Sequence, residues 1–231
     1  MQSVATRFGL VGLVVLAMTA QAVGQDLQQK AAAARQAAAQ NQKALRGYAW
    51  LEKVELRFKG ELKSTKVSSC RYGPDGQVQK TPVVEPPPPE KKGGLRGRAI
   101  AKKTGEMKAE LEAAAALVHQ YVPPSPNKMQ VVVNAGGVSL AQAGPGMVSL
   151  KFADYEKAGD SLALTFEQAI KSLKRIDVTT WLEQPSEPVT LQVAMQSLPD
   201  GTDYPGAITL AIPSSQIEVR ITNINYQKVA P

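Results

Sequence analysis

The sequence predicts an α+β fold in which a large curved antiparallel β-sheet is covered by an N-terminal helix and a mid-chain helical insertion. Between Met147 and Tyr226, short runs alternate apolar with polar residues, which is the pattern of strands with one buried face. Turn residues separate these runs, so consecutive strands are predicted to form hairpins. Around residue 110, apolar residues recur instead at spacings of three and four, which predicts an amphipathic helix.

The C-terminal run is the most regular part of the pattern. Its predicted strands centre on residues 148–152, 162–166, 176–182, 189–195, 208–212 and 217–221. The connections carry turn chemistry, as at Pro199-Asp200-Gly201, where proline fixes φ and glycine accepts a positive φ. The alternation changes phase near Asn223, because Ile224 and Tyr226 continue on the opposite parity. This change indicates a β-bulge or the end of the strand.

Upstream of that run, the sequence predicts further strands over residues 48–59, 61–72 and 78–84. In the first of them, Trp50, Leu56 and Phe58 share one parity, and the alternate positions 53, 55, 57 and 59 are charged. The three apolar residues are therefore expected on the core face of the same sheet.

Two regions are predicted to be helical. Residues 26–46 are rich in alanine, start with a capping-box arrangement and end at a glycine that suits a helix C-cap. The second region is an insertion over residues 98–135, whose long helix is ended by Pro123 and Pro124 and whose short helix starts at Ser125-Pro126. A proline-rich basic loop over residues 85–98, with four consecutive prolines at 86–89, precedes it.

The N-terminus predicts an exported protein. Residues 1–24 combine an early Arg7, the apolar run Leu10–Met18 and small residues before Gln25, which is typical of a secretory signal peptide. The mature chain, residues 25–231, is then expected to form a single domain that is periplasmic or secreted. Cys70, the sole cysteine, lies far from the cleavage site, so no lipobox and no mature membrane anchor are predicted.

No constellation in the sequence indicates catalysis. His119 is the only histidine, and no nucleophile, zinc-protease or paired-cysteine motif accompanies it. A structural role is therefore favoured for His119, and an inert, partly buried thiol for Cys70. We expect no enzymatic activity, no cofactor and no metal site. An unrecognised pair of carboxylates is the remaining enzymatic alternative.

The basic loop is a candidate docking surface. Lys91, Lys92, Arg96 and Arg98 follow the polyproline segment, and clustered cations bind anionic membrane surfaces through their charge. A solvated loop with no partner is the competing interpretation and is the favoured one. Nucleic acid is disfavoured as a partner, because the chain is predicted to be exported and no aromatic residues alternate with the cations.

The order of elements resembles that of LolA-type periplasmic lipoprotein carriers and related outer-membrane lipoprotein-sorting proteins. The resemblance rests on the export signal, on Tyr48-Ala49-Trp50 entering a strand pair, on the helical insertion, and on the phrase Leu198-Pro199-Asp200-Gly201-Thr202-Asp203-Tyr204-Pro205. It implies an unclosed half-barrel whose concave apolar face, covered by helices, holds acyl chains.

The predicted ligand is accordingly a lipid, a lipoprotein or another apolar molecule on the concave face. The apolar candidates are Trp50, Leu56, Phe58, Met107, Leu111, Leu150, Phe152, Leu164 and Phe166. An alternative prediction is an envelope interaction or sensor domain, also non-enzymatic, with a fully packed core and a basic docking loop or a sheet edge that contacts another protein.

Overall fold

A computed structural model describes residues 39–83, 94–169 and 172–229. The predicted signal peptide and most of the proline-rich loop lie outside these residues. Residues 39–45 are helical, so the last turns of the predicted N-terminal helix are present. They belong to a unit separate from Gly47–Pro231, which contains every element discussed below.

The larger unit is built on one ten-stranded antiparallel sheet. Its strands are β1 (Tyr48–Phe58), β2 (Glu61–Tyr72), β3 (Val78–Pro82), β4 (Val138–Gly144), β5 (Met147–Ala153), β6 (Ser161–Glu167), β7 (Ser172–Trp181), β8 (Pro188–Ser197), β9 (Asp203–Ile212) and β10 (Ile217–Lys228). The spatial order is β3-β2-β1-β10-β9-β8-β7-β6-β5-β4, so the sheet is not closed and β3 and β4 form its edges. The predicted α+β class with a curved, unclosed sheet is confirmed.

The predicted change of phase near Asn223 is a β-bulge. Asn225 takes a positive φ of 57°, and the pairing of β1 with β10 shifts register between Ala49 and Leu51. The extra residue returns Tyr226 to the face that carries Trp50, and the two rings stack with centroids 5.4 Å apart. The bulge thus explains why the parity rule fails at this point.

Two helices connect β3 to β4. The long helix (Gly94–Val118) starts four residues before the predicted position, because Leu95, Arg96 and Arg98 favour a helix despite the neighbouring glycines. It also ends before the predicted Val122. Two backbone hydrogen bonds after Val118 span three residues instead of four: Gln120 N donates to Leu117 O and Tyr121 N to Val118 O, both at 3.0 Å.

The short helix (Pro126–Asn134) starts as predicted, with Ser125 as its N-cap and proline in the first turn. One of its residues, Val132, is buried, and the next residues lead through Gly136 and Gly137 into β4. The helix therefore closes the β4–β5 end of the core.

The core lies on one face of the sheet. The helices and the turn after the long helix contribute Ala114, Val118, Tyr121 and Val132 to it. From the sheet it takes alternate residues of β5 to β10, among them Phe152, Leu162, Ile176, Val178, Val189, Leu191, Val193, Leu210, Ile212 and Ile217. Within the part of the chain that the structure describes, no helix is both long and apolar enough to cross a membrane.

Candidate ligand-binding groove

An apolar groove runs between one flank of the long helix and the middle of the sheet. We call it the main groove, and its volume is about 450 Å³. Its lining residues are Lys108, Leu111, Glu112, Ala115, Val118, His119, Val122, Leu191, Val193, Ile208, Leu210, Val219 and Ile221. The polar members are exposed, Lys108 and Glu112 on the helix and His119 in the turn after it, so they mark the solvent side of the groove.

The floor of the main groove is a regular aliphatic grid. Leu210 pairs with Leu191 on one side and Val219 on the other, forming one cross-strand row. A second row is formed in the same way by Val193, Ile208 and Ile221. Alternation along β8, β9 and β10 places all six side chains on the core face, where cross-strand neighbours lie roughly 5 Å apart.

The long helix forms the roof of the groove. The helix presents Leu111, Ala115 and the buried Val118 to the groove, while Ala114 is fully buried in the core and does not line it. Because alanine has no side chain beyond its Cβ, the helix covers the floor without filling the space above Ile208 and Val219. Both of those floor residues remain partly exposed.

The C-terminal end of the long helix is fixed by a buried polar network. Tyr121 is fully buried, donates a hydrogen bond to the Asp160 carboxylate and has its hydroxyl oxygen 2.8 Å from that of Thr180. Asp160 also accepts the backbone N–H groups of Tyr155 at 2.7 Å and Lys157 at 3.0 Å. Burial, reinforced by Asp160, raises the pKa of the Tyr121 phenol well above its usual range.

The helix makes two further contacts upstream of Leu111. The Ser215 hydroxyl donates to Glu110, and the Lys103 ammonium lies 5.2 Å from the centroid of the Phe58 ring. Between these contacts lies a second groove of about 460 Å³, lined by Leu56, Phe58, Lys63, Ser64, Lys103, Thr104 and Met107.

The predicted ligand residues divide into three groups. Leu111 lines the main groove, and Leu56, Phe58 and Met107 line the second groove. Phe152 and Leu164 are buried in the core, with Leu150 and Phe166 packed against it, and these four line neither groove. Parity placed them on the correct face but could not show that β5 and β6 lie beneath a filled part of the core.

Trp50 lies apart from the other predicted residues, in an aromatic cluster with Tyr48, Tyr72, Tyr204 and Tyr226. Its indole N–H donates to Asn223 Oδ1 at 3.2 Å, and the side chain is 7% exposed. Burial raises the pKa of the neighbouring Tyr226. Since its ring faces are covered by tyrosines, Trp50 is enclosed within this cluster and lines neither of the two grooves.

Sequence reasoning missed Glu52, which shares the parity of Trp50 and lies on the core face. Its carboxylate is bound by the Lys80 ammonium of β3 at 2.6 and 2.7 Å. The sequence offered a signal, because Glu52 interrupts the apolar parity of β1 and therefore needs a buried partner.

The predicted docking residues are only partly described. Lys91 and Lys92 lie outside the described residues, and Arg96 lies in the first turn of the long helix, with its side chain outside the description. Arg98 is exposed on that helix, so the predicted loop ends earlier than residue 98.

The two residues with reactive side chains are placed as follows. Cys70 is fully buried, not partly as expected, and burial raises the pKa of its thiol. His119 is exposed on the solvent side of the main groove. Among the described residues, no group of three or more His, Cys, Asp or Glu is arranged to hold a metal ion.

Comparison with known proteins gives little further information. No family model matches the chain, and no curated protein matches it. Among solved structures, the chain is similar to the crystal structure of a DUF1329 family protein from Desulfovibrio piger, at 7% sequence identity and a TM-score of 0.37. That match covers 82% of this chain and 88% of the other. The LolA-type resemblance is not confirmed by these comparisons.

Proposed function

We propose that this protein binds an apolar ligand, most simply a lipid acyl chain, in the main groove. The observation that supports this proposal most directly is the aliphatic grid of six side chains on β8, β9 and β10, which is partly exposed beneath the helix flank that carries Leu111 and Ala115. A flexible hydrocarbon chain matches such a floor because it needs contact area and no directed hydrogen bonds.

The size of the groove is compatible with a small-molecule ligand. Protein interiors are packed with few voids larger than a water molecule, whereas small-molecule sites occupy roughly 300–1,000 Å³. The volume of about 450 Å³ falls within the second range. Binding would remove the partly exposed Ile208, Val219 and Ile221 from water, which is the driving force expected for an acyl chain.

The location, cargo and role of the protein are proposed from the features of its sequence. We propose export to the periplasm or the exterior, a lipid-carrier role similar to that of LolA-type proteins, a lipid or lipoprotein as cargo, and no catalytic activity. Cleavage after Gly24 is tested by N-terminal sequencing of the secreted chain, and an intact Met1 there would contradict export. Mass spectrometry of lipids extracted from the purified protein tests the cargo.

The groove itself is tested by filling it. Ala115→Phe places a ring in the main groove, and Ala109→Phe, on an exposed helix position that lines neither groove, is the matched control. We expect saturable binding of N-phenyl-1-naphthylamine by the native protein, at least tenfold weaker binding by Ala115→Phe, and unchanged binding by Ala109→Phe. Equal binding by both variants would show that the probe sits elsewhere.

The interaction-domain alternative has one observation in its favour. Leu140 on the edge strand β4 is 68% exposed, and Val131 on the short helix is 67% exposed. Exposed edge strands pair with other chains. A native protein that binds no apolar probe would leave this alternative as the better interpretation.

A further inference from the structure

The two grooves beneath the long helix are adjacent. On the helix, Met107 of the second groove and Leu111 of the main groove are one turn apart. On the sheet, Leu56 of the second groove is the direct cross-strand neighbour of Val219 of the main groove. The grooves therefore follow one another across the strands.

A single row of paired residues joins them. It runs in register from Leu191 on β8 through Leu210, Val219 and Leu56 to Ser64 on β2. Four inter-strand spacings of about 4.8 Å give the row a length of roughly 19 Å. One leaflet of a bilayer's hydrocarbon core is about 15 Å thick, so the row is long enough for a membrane-lipid acyl chain.

The β2 end of the row is cationic and polar. Lys63 and Lys103 line the second groove, together with the hydroxyl-bearing Ser64 and Thr104. The neighbouring row ends in the same way, because Ile221 pairs with Val54 and Val54 with Lys66. The row is thus aliphatic from β8 to β1 and ends at Ser64 on β2, in the groove that Lys63 and Lys103 also line.

The cations are accessible to an incoming anion. Lys103 contacts the Phe58 ring, an interaction that leaves its charge unneutralised. Lys63 pairs with Glu61, but the side chains are 41% and 74% exposed, and exposed pairs of this kind are weak. An anion held in the second groove would gain from both ammonium groups.

We propose that the ligand is a long-chain fatty acid whose hydrocarbon lies along the Leu191–Ser64 row and whose carboxylate lies between Lys63 and Lys103. This inference rests on the proposed function and adds the polarity and the direction of the ligand. Each lysine ammonium is a compact cation with three hydrogen-bond donors, and two of them can hold one carboxylate between them.

The test compares ligands that differ only in the charged end. Palmitate and methyl palmitate, below their aggregation limits, displace the naphthylamine probe from the native protein, from Lys63→Gln/Lys103→Gln and from Lys53→Gln/Lys102→Gln. The last variant removes the same charge from a strand of the same sheet and from the same helix. Neither Lys53 nor Lys102 lines the second groove. Lys53 lies between the core-face residues Glu52 and Val54 and so points to the opposite face of the sheet, and Lys102 is paired with Glu106 on the helix.

We expect the native protein to prefer palmitate to its ester by about tenfold, and the preference to fall below about twofold in Lys63→Gln/Lys103→Gln. The control variant should keep the preference, and added salt should reduce it because exposed charges are screened within about 10 Å at 0.1 M. Melting temperatures should agree among the three proteins, since none of the four lysines is buried.

Two results would overturn the inference while leaving the proposed function intact. One is equal affinity for palmitate and its ester in the native protein. The other is tighter binding of palmitoyl lysophosphatidylglycerol than of palmitate, which would assign the cationic end to a phosphate. Failure of every ligand and of the probe to bind would instead remove the proposed function itself.

Discussion

Leu56 of β1 and Val219 of β10 are direct cross-strand neighbours, yet each lines a different groove beneath the long helix. This pair marks the place where the two grooves meet on the same apolar face. Towards β5 and β6 the face is covered, and from β8 to β2 it is open along the helix flank.

Leu164 tests whether the apolar face is filled over β5 and β6. It is 7% exposed and pairs with Leu150 and Ile176. Leu164→Trp should overpack the core and lower the free energy of unfolding by about 1–3 kcal/mol. Since Leu164 lines neither groove, probe affinity measured on the folded variant should stay at the native value. Weaker probe binding with native stability would place the cavity at β5 and β6 instead.

The buried phenol of Tyr121 should make the folded protein less stable at alkaline pH. Burial raises the pKa of its phenol above the ordinary value of 10.0, so the unfolded chain loses this proton at lower pH than the folded chain. The stabilisation is therefore complete below about pH 10 and is lost as pH rises above it, by up to about 1.4 kcal/mol per pH unit.

Urea unfolding of the native protein and of Tyr121→Phe at about pH 8 and about pH 11 measures this effect. The variant should be less stable by about 1–3 kcal/mol at the lower pH, because Asp160 and Thr180 lose a buried partner. Its further loss at the higher pH should be smaller than that of the native protein. Identical losses in both proteins would assign the alkaline effect to other tyrosines, such as Tyr226.

The Glu52–Lys80 pair predicts an asymmetric double-mutant cycle. Lys80→Met leaves the Glu52 carboxylate, whose side chain is 11% exposed, without its cation and should cost about 1–2 kcal/mol. The loss of stability is limited to this range because the Lys80 side chain is 49% exposed, so solvent already weakens the ion pair. Adding Glu52→Gln to Lys80→Met should restore part of the loss, as measured by chemical denaturation. An additive cycle would contradict coupling between the two residues.

Much of the architecture follows from the sequence. Period-two alternation depends only on the geometry of an extended chain, so Val148, Leu150 and Phe152 could be assigned to one face of a strand without knowing what covers it. Proline and glycine fixed the turns for a similar local reason. The change of parity near Asn223 was also visible, although the sequence left a bulge and the end of the strand as alternatives, and the structure shows a bulge at Asn225.

The candidate site depended on information that no local pattern contains. Whether an apolar face is filled or open is set by where the long helix crosses the sheet, and that position is fixed by distant contacts such as Tyr121 with Asp160 and Glu110 with Ser215. The sequence by itself determined which residues face the core, because side-chain direction is a property of each strand. Only the tertiary structure decided that Leu191, Leu210 and Val219 border an open groove while Phe152 and Leu164 do not, because packing depends on elements far apart in the chain.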